Sequence, residues 1–173
     1  MMTAPTKIDL HTHIRTLPEE IEYVYYLKLA MGVTTMVNAA DRGFADGMSE
    51  AKKSAANEIV APRMFPLVGY GAGTSFTRRQ LDDPALAPQV VKAMAANGTR
   101  VISMDPLGWS LELVTAIAKA AKERGGRCWA EMKCGFDNYT PEEVEAIRRI
   151  MPVLATGSGQ LKRASVDEHG MFH

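Results

Sequence analysis

Two histidines two residues apart, in KIDLHTH at 7–13, carry the first recognisable chemistry of this chain. The stretch reads as a β-strand. Side chains of a strand alternate faces, so Asp9, His11 and His13 are predicted to share one face and Ile8, Leu10 and Thr12 the other, which can pack on a helix. Imidazoles at i and i+2 have Cα atoms roughly 6.5 Å apart, close enough for one nitrogen of each to reach a single ion at about 2.1 Å. A carboxylate on that face, Asp9, can accept a hydrogen bond from one ring and orient it. The bland alternative is a pair of core histidines satisfied by hydrogen bonds. Two on one strand face beside a carboxylate favour metal. The pair alone is one donor short, because catalytic zinc usually takes three protein ligands and a water.

The elements that must position these side chains alternate along the chain. Thr16-Leu17-Pro18-Glu19 has capping-box spacing, and Val24, Leu27 and Met31 are predicted to line the face of a helix that Gly32 stops. VTTMVNA (33–39) is β-branched and apolar, as a buried strand is. A helix with little apolar stripe is expected through 48–58, and RMFPLVGYG after Pro62 reads as a third strand with a Pro-distorted end. Val90, Val91 and Met94 mark a helix ended by Gly98, and TRVISM (99–104) follows as a strand. Ser110 can cap a helix with Leu113, Val114, Ile117 and Ala121 on one face. Gly125 and Gly126 end it before RCWAEM (127–132). Thr140-Pro141-Glu142-Glu143 forms a further capping box ahead of Val144, Ile147 and Met151, and PVLAT (152–156) can make a sixth strand. Helix, glycine and strand recur in that order three times, the pattern of parallel strands with crossover helices.

Bulk properties narrow the function. The 173 residues carry 20 basic and 20 acidic side chains, so the net charge is zero and no block of charge favours nucleic acid or a membrane surface. No apolar run approaches the roughly 18 residues of a membrane span and no leader-like segment opens the chain, so a cytoplasmic protein is expected. Cys128 and Cys134, six apart, fit no common zinc or redox motif and read as reduced structural thiols. No G-x-G-x-x-G or P-loop follows a strand. GYGAGTS (69–75) is read as a flexible loop on the active-site side, ahead of a phosphate cradle.

Asp9-x-His11-x-His13 on a first strand, followed some twenty residues later by Gly32-Val33-Thr34-Thr35-Met36-Val37, resembles the opening of the amidohydrolase superfamily. SAANEIVAPRMFP (54–66) is similar to the second-helix-to-third-strand passage of its prolidase-like and dihydroorotase-like members, and the resemblance spans about residues 7–135. It implies a (β/α)8 barrel, a divalent metal, most often zinc, and hydrolysis of C–N or C–O bonds of a small-molecule substrate by metal-activated water. A full barrel takes about 250 residues, so the expectation is an α/β fold that is a partial TIM-type barrel of about five to six βα units over 1–156, with a poorly structured tail at 157–173. The chain departs from the family pattern in its ligands. The family's fourth-strand lysine or glutamate falls at or beside Ser103, and its fifth-strand histidine falls at Glu131. Its sixth-strand histidine and eighth-strand aspartate have no counterpart; His169 and His173 stand in the tail.

Glu131, near the end of its strand, is the candidate third ligand to a metal on His11 and His13. It reads equally as a general base or as an ion-pair partner of Lys133. Asp105 is a candidate catalytic acid or a turn residue before Pro106. Arg15 and Asn38 are candidate substrate contacts, against an exposed arginine and a loop or cap residue; Asp41 is read like Asn38. Trp109 and Trp129 are expected in the core. The function expected is a metal-dependent hydrolase of C–N bonds, in amides, cyclic amides or similar groups. Its rival is a truncated or non-catalytic half-barrel that binds metal or a partner chain without turnover. A metal hydrolase of the polymerase-and-histidinol-phosphatase type shares Asp-x-His-x-His, but lacks support at IRTLPEE and NAADRG. Open strand edges predict a homo-oligomer or a complementing chain.

Overall fold

In the computed structural model, residues 7–14, 18–40, 42–104, 109–132, 140–150 and 154–156 are described. Strands and helices alternate: β1 (Lys7–His13), α1 (Ile21–Ala30), β2 (Val33–Ala39), α2 (Phe44–Ala55), β3 (Arg63–Gly69), α3 (Arg78–Leu81), α4 (Ala87–Ala96), β4 (Val101–Met104), α5 (Leu111–Glu123), β5 (Arg127–Met132), α6 (Pro141–Ile150) and β6 (Leu154–Thr156). All pairings are parallel and follow sequence order, β1-β2-β3-β4-β5-β6. Crossovers in constant sequence order put every helix on one side of the sheet, as in a barrel and unlike a doubly wound sheet.

The register carries a second barrel signature. His13, Ala39, Leu67, Val101 and Arg127 are linked partner to partner across five strands. This row meets the last residue of β1 and of β2, but falls two residues short of the end of β3, three short of β4 and five short of β5. Strand ends therefore advance by about one residue per strand. An eight-stranded barrel of shear eight has that stagger, and the sheet is consistent with part of such a barrel.

The two faces are packed differently. On the helix side Val68, Ile102 and Met104 meet Val90, Val91 and Met94 of α4 and Leu113, Val114 and Ile117 of α5, all buried. Those helix residues recur three and four apart, and Ser110 caps α5 by accepting the Leu113 N–H at 3.2 Å. Gly98 (φ 88°) closes α4 in the left-handed conformation that favours glycine. Val37, Ala39, Leu67 and Val101, with Phe65 beside them, form a smaller inner-face cluster. Pro66 is tolerated inside β3 because pairing with β4 begins only at Leu67.

Several expectations need correction. Helix α1 packs through Tyr25, 2% exposed, with Ile21 and Val24; Leu27 and Met31 are 43% and 56% exposed. Tyr25, not Leu27, therefore sets its buried stripe. Helix α2 runs over Phe44–Ala55, earlier than expected, because Gly43 (φ 102°) lets the chain turn into it at once. Glycine-rich 69–75 is not an open loop: Gly71 donates its N–H to Met94 Sδ at 3.2 Å, and a Cβ on Gly73 would lie 2.6 Å from the Phe44 ring. Trp109 packs, as expected, on the helix-side core, edge-to-face on Tyr70 at 5.7 Å. The Thr140–Glu143 capping box forms reciprocally at 2.9 and 3.3 Å. Thr16, Leu17, Cys134 and the 157–173 tail lie outside the described residues.

Candidate functional site

The histidine pair stands at the C-terminal end of β1, where parallel α/β folds gather their chemistry. His11 and His13 are half-buried, and their Nε2 atoms are 2.9 Å apart with the rings edge to face at 4.8 Å between centroids. His13 opens the inner-face row through its partner Ala39. At 2.9 Å one proton can bridge the two nitrogens, the tautomers deciding which ring donates. A divalent ion in that proton's place fits as well. Two nitrogens about 2.05 Å from a tetrahedral ion lie roughly 3.3 Å apart, so the pair opens by a few tenths of an ångström to admit one. The donor set thus suits a borderline cation such as Zn²⁺.

Asp9 does not share their face, which corrects the simple alternation. Lys7 pairs with Val33, but Ile8 and Asp9 pair one residue further on, with Thr35 and Met36, and the offset returns at Thr12 and Asn38. Leu10 and His11 therefore oppose the single residue Val37, a β-bulge. Asp9 consequently lies opposite Met36, which belongs to the helix-side core. There Lys28 of α1 donates to Asp9 Oδ2 at 2.6 Å and to Thr12 Oγ1 at 3.0 Å, while Asp9 Oδ1 accepts the backbone N–H of His11 at 3.3 Å. Thr12 is buried on that side; Ile8 and Leu10, expected to pack on a helix, are 62% and 52% exposed. The carboxylate supports the site through the backbone, not through a ring.

Of the other candidates, Glu131 is the penultimate residue of β5 and pairs with Ala155. It stands four residues past Arg127 of the His13 row, so the stagger of the sheet brings its backbone about level with His13. Among the described residues no group of three His, Cys, Asp or Glu side chains is placed to hold a metal. Asp105 and Arg15, like Asp41, His169 and His173, lie outside the described residues. Asn38 is 7% exposed and opposite Thr12, on the helix side. It lines a void of about 10 Å³ with Ile14, Arg42 and Glu50, and among the described residues its Oδ1 meets no hydrogen-bond donor. Arg42 and Glu50 are ion-paired there. Burial first, then the Glu50 carboxylate, pushes the nearby Tyr25 phenol above its ordinary range.

Lys28, which bridges Asp9 and Thr12 behind the histidine pair, is the residue that sequence reasoning missed. A signal existed: a lysine three residues after the buried Tyr25 lies on the packed stripe of α1, and an ammonium there needs an acid partner.

No family profile matches the chain, and no characterised protein matches it in sequence. Solved structures match it in fold. The crystal structure of a candidate prolidase from Bifidobacterium longum superposes with a TM-score of 0.60 at 21% identity, over 84% of this chain and 38% of that one. An uncharacterised protein gives 0.58 at 17% identity over 84% and 45%, and a protein described as an amidohydrolase gives 0.57 at 19% over 84% and 46%. The chain spans less than half the length of each of these structures. At such identities the likeness bears on the fold alone, a parallel α/β sheet consistent with part of a TIM-like barrel. Among the described residues no helix is long and apolar enough to cross a membrane.

Proposed function

We propose that this chain is the metal-bearing part of an amidohydrolase-type hydrolase that acts on C–N bonds of a small molecule, in amides, cyclic amides or similar groups. The observation that carries the reading is the convergence of His11 Nε2 and His13 Nε2 to 2.9 Å on the inner face of a barrel-like sheet, at the end of its first strand. The fold neighbours, two of them described as a prolidase candidate and an amidohydrolase, agree with a hydrolase of this class. His11 and His13 would hold the ion, with Glu131 as third ligand. When bound, a divalent ion, zinc by the chemistry of its donors, supplies Lewis acidity for a scissile carbonyl. Glu131 or Asp105 moves a proton towards the leaving nitrogen. Arg15 is assigned to a carboxylate on the substrate, whereas Asn38, buried on the helix side, is left out of the substrate site.

A second reading is favoured by one observation: the fourth strand carries Ser103 where the resemblance implies a lysine or glutamate. In this reading the chain binds metal or a complementing chain without turnover. Metal analysis separates the outcomes. The purified chain is expected to take up about one divalent ion, lost in His11→Ala/His13→Ala; equal metal in both proteins refutes the centre. Zinc-loaded protein that hydrolyses amides at about 10 per second, abolished by Glu131→Gln, selects the enzyme. Metal uptake without turnover selects the second reading.

A further inference from the structure

We propose that Lys28 is a positioning residue for the histidine pair: its ammonium bridges Asp9 and Thr12 across the bulge of β1 and so fixes where His11 stands against His13. The proposal deepens the metal-centre reading above and rests on it for its purpose, though not for its geometry.

The bulge is a choice between two registers. Lys7↔Val33 and His13↔Ala39 have the same offset, so β1 can pair with β2 residue for residue along its whole length. That regular pairing would set Asp9 opposite Thr35, returning its carboxylate to the face of His11 and His13. The observed pairing instead displaces Ile8 and Asp9 by one residue, and the strand must absorb the difference at Leu10 and His11. A bulged residue loses part of its ladder, so its backbone needs another partner. For His11 that partner is Asp9 Oδ1, at 3.3 Å.

Lys28 selects between the registers. It reaches β1 from α1, on the helix side only, and touches a residue before the bulge and one after it, at 2.6 and 3.0 Å. Thr12 keeps its face in either register, but Asp9 meets Lys28 only when the strand is bulged. The ion pair is largely sheltered, its side chains 20% and 23% exposed, so solvent offers a weak substitute for either partner. Freeing Lys28 therefore removes the preference for the observed register, in which His11 lies in the bulge and its Nε2 stands 2.9 Å from that of His13.

The experiment uses the full chain in three variants: Lys28→Met, which keeps the length of the side chain; Asp9→Asn, which decides the matter if Lys28→Met does not fold; and Lys28→Arg, which restores a cation. The first readout is the set of ring ¹⁵N–¹H correlations of His11 and His13 in metal-free protein. Both rings are expected to shift in Lys28→Met and Asp9→Asn and to return in Lys28→Arg. Lys53→Met, exposed on α2, is expected to leave them in place. The second is zinc affinity by competition with a chromogenic chelator, expected to fall about 10–100-fold in Lys28→Met and to recover in Lys28→Arg. Ring signals unmoved in both Lys28→Met and Asp9→Asn overturn the proposal, whatever the melting temperature does. Ring signals that move in a protein whose parent binds no zinc uphold the positioning and overturn the metal centre instead.

Discussion

Apolar side chains that β1 leaves exposed towards the inner face predict association through that face. Ile8 and Leu10 lie towards that face on β1, a strand paired on one side only among the described residues, and are 62% and 52% exposed. Fully burying such a side chain contributes about 1.5–3 kcal/mol. With half of each still open, covering both is worth about 2–3 kcal/mol per copy. A two-fold dimer covers both copies' patches, so their removal costs about 4–6 kcal/mol, roughly 10³–10⁴-fold in the dimer constant. The perturbation is Ile8→Thr with Leu10→Lys, which removes the apolar surface and adds a charge that gains nothing from burial. Sedimentation velocity from about 1 to 100 μM is the assay. The parent chain is expected to associate over this range and the double variant to remain monomeric. Helix α1 exposes a separate stripe, with Tyr23 65% and Tyr26 48% exposed, so Tyr26→Lys is the comparison and is expected to change little. A parent chain that is monomeric throughout refutes the reasoning. So does a dimer broken by Tyr26→Lys and indifferent to Leu10→Lys.

Three further outcomes are expected. Burial, helped by Asp82 and Asp83, raises the Tyr70 phenol to about 12. The folded state thus holds a proton that the unfolded chain loses near pH 10, and stability falls as pH rises from about 10 through 12; Tyr70→Phe is expected to flatten that fall in circular dichroism, and an unchanged profile would contradict it. Gly71→Ala meets Leu81 at 2.6 Å with φ at 84° and is expected to cost about 1–3 kcal/mol in chemical unfolding, whereas Gly69→Ala enters open space at an ordinary φ and is expected to stay within about 0.5 kcal/mol. Equal losses at the two glycines would overturn the account of the 69–75 segment. Ser110→Ala removes the cap on the Leu113 N–H and is expected to lower unfolding stability by about 1 kcal/mol.

What could be read in the sequence follows the range over which each feature is decided. The strands, the glycine stops and the caps at Ser110 and Thr140 are local, and each recurs in the structure close to its predicted place. Helix α1 misled because it is apolar nearly all round: Val24, Leu27 and Met31 make a plausible stripe, and so do Ile21, Val24, Tyr25 and Lys28. Only packing against Val33, Met36 and Met64 chooses the second. That choice propagates to the site. Once Tyr25 faces the sheet, Lys28 does too, and a sheltered ammonium requires a carboxylate within reach. Asp9 is the acid that β1 offers, but strict alternation would point it to the inner face, away from Lys28. The strand resolves the conflict by bulging at Leu10 and His11. Alternation over KIDLHTH was thus right for the two histidines and wrong for the aspartate between them and the start of the strand, since the step that separates them is set by a residue of the next helix. A motif of three polar residues at regular spacing is thus divided between the two faces of the strand, and the aspartate is the part that the sequence pattern cannot assign to a face.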